Sequence, residues 1–145
     1  MYKNREGYTD PTAGIAVGQM MKEYKKNRRE IWHRQTELKE RTKVYIVSPY
    51  AGDVENNIKQ AIAYCRFAIK EKKMPIAAHL LYPQIVDDNN PLEREIGTMY
   101  GLALLALCDE VWCFGKEHSL GMKQELEEAK RLNKPIKHFP KEAIS

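Results

Sequence analysis

Lys43-Val44-Tyr45-Ile46-Val47-Ser48-Pro49-Tyr50-Ala51-Gly52-Asp53 is the stretch whose reading decides the fold. Residues 43–48 are a short apolar run rich in β-formers, bounded by turn residues, and read as a buried strand. Residues 48–53 read as a loop, with Asp53 the natural cap of a helix. Residues 54–72 read as that helix, with Ile58, Ile62, Cys65 and Ile69 in phase on one face.

The same unit repeats downstream. Residues 74–80 read as a second strand, residues 81–91 as a turn-rich loop, and residues 92–107 as an apolar helix with Ile96, Tyr100, Ala103 and Leu107 in phase. Residues 109–115 are a third strand, residues 119–132 a helix with Met122, Leu126 and Ala129 in phase, and residues 134–139 a fourth strand. Strands alternating with helices of this length predict right-handed βαβ units and a parallel sheet. Both faces of such a sheet are covered, which accounts for strands that are apolar runs rather than alternations. The predicted class is α/β, a flavodoxin-like (Rossmann-like) parallel sheet of four to five strands with helices on both faces, over residues 43–140.

Residues 1–42 read differently, as an N-terminal helical extension. Asp10-Pro11 suits a helix start, and residues 12–41 read as a long helix, broken near Gly14 or Gly18. Tyr24, Ile31 and Leu38 recur every seven residues, a narrow stripe suited to lying on the domain or on another subunit. Of 145 residues, 24 are basic and 20 acidic. Residues 1–43 hold 11 Lys/Arg against 6 Asp/Glu, and residues 44–145 hold 13 against 14. The basic excess therefore belongs to the extension. Acidic residues interleave with it and no reading motif accompanies it, which favours a solvated helix face over a nucleic-acid footprint.

Cys65, Cys108 and Cys113 are odd in number and lack CxxC spacing, which gives no disulfide framework and no zinc signature. His33, His79, His118 and His138 are scattered without metal-ligand spacing, so neither metal nor cofactor is expected. No apolar stretch approaches the ~20 residues of a membrane span, and the polar first ten residues lack a signal-peptide core. The cytoplasm is the expected location.

In an open parallel sheet, ligands bind beyond the carboxyl ends of the strands. There the sequence places Ser48–Asp53, His79–Pro83 and Gly115–Ser119. Gly115-Lys116 lacks the upstream spacing of a Walker loop. The informative segment runs from Ser119 to Ala129. Ser119 is a natural N-cap, and the helix start it introduces offers free N–H groups to a phosphate or sugar hydroxyl. Gly121 leaves room for a ligand against the backbone. Glu125 lies one turn on, leaning back toward the same end. An ordinary capped surface helix with solvated glutamates accounts for the spacing equally well. His79 suits structure or ligand contact, His118 a surface loop, and Asp87-Asp88-Asn89-Asn90 a polar turn rather than a cation site.

Two of these segments carry a family resemblance. Tyr45-Ile46-Val47-Ser48-Pro49-Tyr50 resembles the first-strand motif of the nucleoside 2-deoxyribosyltransferases. Ser119, Gly121, Glu125, Leu126 and Ala129, followed by Asn133-Lys134-Pro135, resemble their helix motif. The likeness extends to the related 2'-deoxynucleoside 5'-phosphate N-hydrolases and to bacterial and phage-borne members of the group. It implies N-glycosidic cleavage or deoxyribosyl transfer on a nucleoside or nucleotide, with Glu125 as nucleophile. It implies substrate-binding roles for Tyr45, Ser48, Tyr50, Gly52, His79, Ser119, Gly121 and Met122, and a homo-oligomer. The sequence departs from the pattern at three places. The family's aspartate stands at the start of the helix before the third strand; aligned on Asp109, that position is Gly101 here, leaving Asp87, Asp88 or Glu95 as possible acids. Glu127 and Glu128 precede Ala129, and Pro49 and Ala51 stand where the hydrolases bind phosphate. A module that binds a nucleotide-derived ligand without chemistry is the competing expectation.

Overall fold

A computed structural model describes residues 11–144. The chain divides into two compact units, Met1–Glu40 and Arg41–Ser145. The first contains one helix, α1 (Pro11–Glu40). Asp10, read as its cap, lies outside the described residues. The helix runs unbroken through Gly14 and Gly18, against the expected interruption. An isolated glycine costs about 1 kcal/mol relative to alanine, which the flanking runs of strong helix formers offset. Tyr24, Ile31, Trp32 and Leu38 are exposed along it.

The second unit is built in chain order from β1 (Lys43–Val47), α2 (Val54–Lys70), β2 (Met74–Ile76), α3 (Pro91–Ala106), β3 (Glu110–Phe114), α4 (Leu120–Arg131) and β4 (Ile136–Phe139). The four strands form one all-parallel sheet in the order β2-β1-β3-β4. The expected α/β class and parallel sheet are thus present, with four strands. The second strand is shorter than its predicted span: after Ile76 the chain turns into two one-turn 3-10 helices, Ala78–Leu80 and Tyr82–Gln84. Pro75 lacks the N–H a longer ladder would use.

The sheet is covered on both faces. Val44, Ile46, Trp112 and Phe114 pack with Tyr64 and Ala68 of α2. Rings dominate this face, with Tyr64 stacked on Phe114 at 4.1 Å and Phe139 on Phe114 at 5.2 Å. Tyr45, Val47, Val111 and Cys113 point the other way and pack with Leu105 of α3 and Met122, Leu126 and Ala129 of α4.

The helix faces that reach the sheet are only partly those expected. On α4, Met122, Leu126 and Ala129 are buried as predicted. On α2 the buried residues are Ala61, Tyr64 and Ala68, while Ile62 and Ile69 are exposed. On α3 they are Gly101 and Leu105, while Leu92, Ile96, Met99 and Tyr100, with Leu107 just past its end, are exposed. Small residues occupy the line of closest approach. A Cβ at Gly101 would stand 3.4 Å from Ala78 Cβ and 3.5 Å from the Tyr45 hydroxyl, and one at Gly97 only 3.1 Å from Val86 Cγ2.

One side chain ties the first strand to the start of the third. The Lys43 amide donates to Asp109 Oδ2 at 2.8 Å, and the Asp109 amide donates to the Lys43 carbonyl at 2.8 Å.

Candidate active site

The connection leaving β1 goes to β2 on one side, and the chain returns through α3 to β3 on the other. The crevice between the carboxyl ends of β1 and β3 is therefore the topological switch point, where open α/β sheets place their ligands. A cleft of about 220 Å³ opens there.

The β1 end is shaped locally. Asn57 Nδ2 donates to the carbonyls of Tyr50 and Ala51 at 3.0 and 3.1 Å, Gly52 adopts φ +95°, and Asp53 caps α2 through the Asn56 amide. Tyr45, Ser48, Tyr50 and Ala51 line the cleft from this side. The two 3-10 turns supply His79 and Tyr82, and Ser48 Oγ lies 2.9 Å from His79 Nε2, hydrogen-bonded to it. Burial pushes the His79 imidazole down to about 4, so the ring is neutral at neutral pH. On the β3 side, Gly115 takes φ +91° and Ser119 caps α4, accepting from the Met122 amide at 3.3 Å. A Cβ at Gly121 would meet no protein atom within 4 Å, leaving the helix start open to the cleft.

Glu125 lies one turn inside α4. The Tyr45 phenol acts on its carboxyl and favours the ionised form, while Oε2 is shielded from solvent and has no hydrogen-bond partner. Burial raises the carboxyl to about 7, and the Tyr45 phenol opposes that rise. Burial and then the neighbouring carboxylate push the Tyr45 phenol up, so it stays protonated and acts as donor. The carboxyl thus stands buried beside a phenol, with Oε2 lacking a hydrogen-bond partner. Buried polar atoms are satisfied as a rule, so this orphan makes Glu125 the candidate functional carboxylate of the cleft.

Of the residues singled out in the sequence, the cleft gathers Tyr45, Ser48, Tyr50, His79, Ser119, Gly121, Met122, Glu125 and Asp88. Gly52 shapes the loop without lining the cleft. Asp87 accepts from the Asn89 amide at 3.0 Å within an exposed turn, and Glu95 is exposed and outside the lining. Gly101 lines the cleft beside Tyr45, well inside α3.

The fold brings in further residues that no spacing pointed to. Tyr82 stacks with Tyr100 at 5.5 Å and adds an aromatic wall. Arg94, paired with Asp88 at 3.9 Å, is the one Arg or Lys of the lining among the described residues, and Thr98 and Gln124 add further polar groups. They come from α3 and from mid-α4, and only the tertiary arrangement assembles them.

The family described as a domain of unknown function (DUF7768) matches residues 42–139. The chain belongs to this family. No curated protein matches it. Among solved structures, the DUF7768 chain is similar to a 2-deoxyribosyltransferase from the psychrotolerant bacterium Bacillus psychrosaccharolyticus. The TM-score is 0.57 at 17% identity, over 68% of this chain and 72% of that one. It is also similar to a 2-desoxiribosyltransferase from Leishmania mexicana, with a TM-score of 0.52 at 16% identity, over 68% of this chain and 64% of that one. The DUF7768 domain thus has a nucleoside 2-deoxyribosyltransferase-like fold. Among the described residues, no helix is long and apolar enough to cross a membrane.

Proposed function

We propose that this protein cleaves the N-glycosidic bond of a deoxynucleoside or deoxynucleotide, with Glu125 as nucleophile. The observation that carries the reading is the Glu125 carboxyl at the cleft, buried against Tyr45 with Oε2 lacking a hydrogen-bond partner. In the reaction, a Glu125 oxygen bonds to the anomeric carbon as the bond to the base nitrogen breaks. The base leaves with a proton, and water or a second base then displaces Glu125. Two displacements at one carbon are the retaining logic of glycosidases. Tyr50 and Tyr82 offer faces for a base. Ser119, the open start of α4 and Arg94 suit a sugar 5' hydroxyl or a 5'-phosphate. Asp88 is the other carboxylate of the lining and the candidate acid.

The test is release of free base from a panel of deoxynucleosides and their monophosphates, followed chromatographically. Glu125→Ala is expected to reduce it by more than about 10³-fold, the order lost with other nucleophiles. No turnover on any member, or turnover that survives Glu125→Ala, refutes the proposal.

Gly101 favours one competing reading, a pocket that binds a nucleotide-derived ligand without chemistry. Where the resembling enzymes carry an aspartate, this cleft has no side chain. A thermal shift with nucleotides and zero base release would support that reading, because a ligand of the native state raises stability.

We further propose that residues 43–140 form the deoxyribosyltransferase-like domain and residues 1–42 an appended helix. The division between Glu40 and Arg41 supports this. The outward aliphatic face of α3 supports self-association. Three free thiols fit the reducing cytoplasm.

A further inference from the structure

Three side chains, from β3, from the loop that follows it and from β4, meet at the carboxyl end of β3. Cys113 is the fourth residue of β3, and its register partner on β4 is His138, so the two side chains leave the sheet on the same face. His118 stands in the loop that carries Ser119 into α4. Cys113 Sγ and His118 Nε2 are 3.5 Å apart, and the His118 and His138 rings lie nearly parallel, 6.1 Å between centroids. One ligand atom from each of the three residues lies within 4.8 Å of the others.

We propose that Cys113, His118 and His138 form a binding site for a thiophilic divalent metal ion of the zinc class, with an open fourth position. Tetrahedral zinc, with bonds of about 2.3 Å to sulfur and about 2.0–2.1 Å to nitrogen, holds its ligands roughly 3.3–3.6 Å apart. The Cys113–His118 separation already meets that spacing. His138 is exposed on the edge strand, so rotation of its side chain can close the remaining distance. A thiolate with two imidazoles selects zinc-like ions over magnesium or calcium, which take oxygen ligands. Binding forms a metal–sulfur bond, and the thiol proton is released to solvent. A buried thiol is poorly placed to attack a substrate, and the second imidazole gives a Cys–His nucleophilic pair no service that a metal triad does not use better. The ion would join β3, β4 and the loop next to the α4 cap, and so pin Ser119 at the cleft.

The site is tested by titrating the full chain with Co²⁺ under reducing, anaerobic conditions. The expected result is a thiolate-to-cobalt charge-transfer band with intense four-coordinate absorption, saturating at one equivalent and displaced by Zn²⁺. Cys113→Ser is expected to abolish the band and Cys65→Ser to leave it. His138→Ala changes only an exposed side chain, so it keeps the test valid if Cys113→Ser fails to fold. It is expected to weaken Zn²⁺ binding by more than about 100-fold, beyond the 10–100-fold lost with an outer-shell partner, and to remove any Zn²⁺-induced rise in Tm. A weak six-coordinate spectrum, no charge-transfer band, or full affinity in His138→Ala overturns the proposal.

Discussion

Glu125 and Tyr45 make one unit with two titration consequences. A nucleophilic carboxylate must be ionised, and burial holds this one at about 7. Base release is therefore expected to rise with pH through about 7 on its acid limb. The Tyr45 phenol favours the ionised form, so Tyr45→Phe is expected to move that limb to higher pH. A pH–rate profile of both proteins decides this, and coincident limbs would count against the pair. Stability follows the opposite sign. The carboxyl titrates near 4.5 when unfolded and near 7 when folded, so the native state binds the proton more tightly. Its contribution is complete below about 4.5 and is lost as pH rises through about 7, a difference on the order of 3 kcal/mol. Glu125→Gln is therefore expected to melt above the parent at about pH 8, with the advantage gone near pH 4.5. His79, held near 4, contributes above its ordinary value of 6.5 and loses that contribution as pH falls toward 4. It is common to both proteins and cancels in the comparison.

At the scale of elements, the sheet face of a helix was legible where the helix carries its large residues inward, and illegible where it does not. On α4 the phase of Met122, Leu126 and Ala129 pointed to the buried side. On α2 and α3, alanine and glycine make the close approach because Tyr64 and Tyr45 already fill the space above the strands, and the isoleucines are displaced outward. Periodicity weighs large apolar residues and is blind to this. The candidate site divides in the same way. Ser119, Gly121 and Glu125 lie within one helical turn or two, so spacing could find them. Tyr82, Arg94 and Thr98 reach the cleft through turns and a helix that no local signal places beside α4. The displaced face of α3 has a consequence of its own, because Met99 is 63% exposed and Leu107 71%. Burying such a face between copies is worth roughly 25 cal/mol per Å² of apolar area. The parent is expected to run as an oligomer in size-exclusion chromatography with light scattering. Ile96→Glu with Met99→Glu is expected to run as a monomer with its melting temperature little changed, and a monomeric parent would refute the assignment.

For the whole molecule, the net charge of +4 is a property of two unlike parts. The basic excess lies in the unit that holds α1, whereas the unit that holds the cleft is close to neutral. Residues 41–145 alone are expected to melt within a few degrees of the full chain and to keep its base-release activity; failure to fold would show that the helix is structural. The two ends of the sheet add a further consequence. An outer strand with free N–H and C=O groups is a template for fibrils, and a chain with this much outward aliphatic surface brings such strands together often. β2 ends after three residues and spends its middle position on Pro75, which has no proton to offer. β4 carries a charge of its own, Lys137, paired with Glu110 at 3.0 Å and lying over the Trp112 ring, and lysine on an outer strand discourages strand addition. Pairing of copies strand to strand is thereby disfavoured at both edges of the sheet.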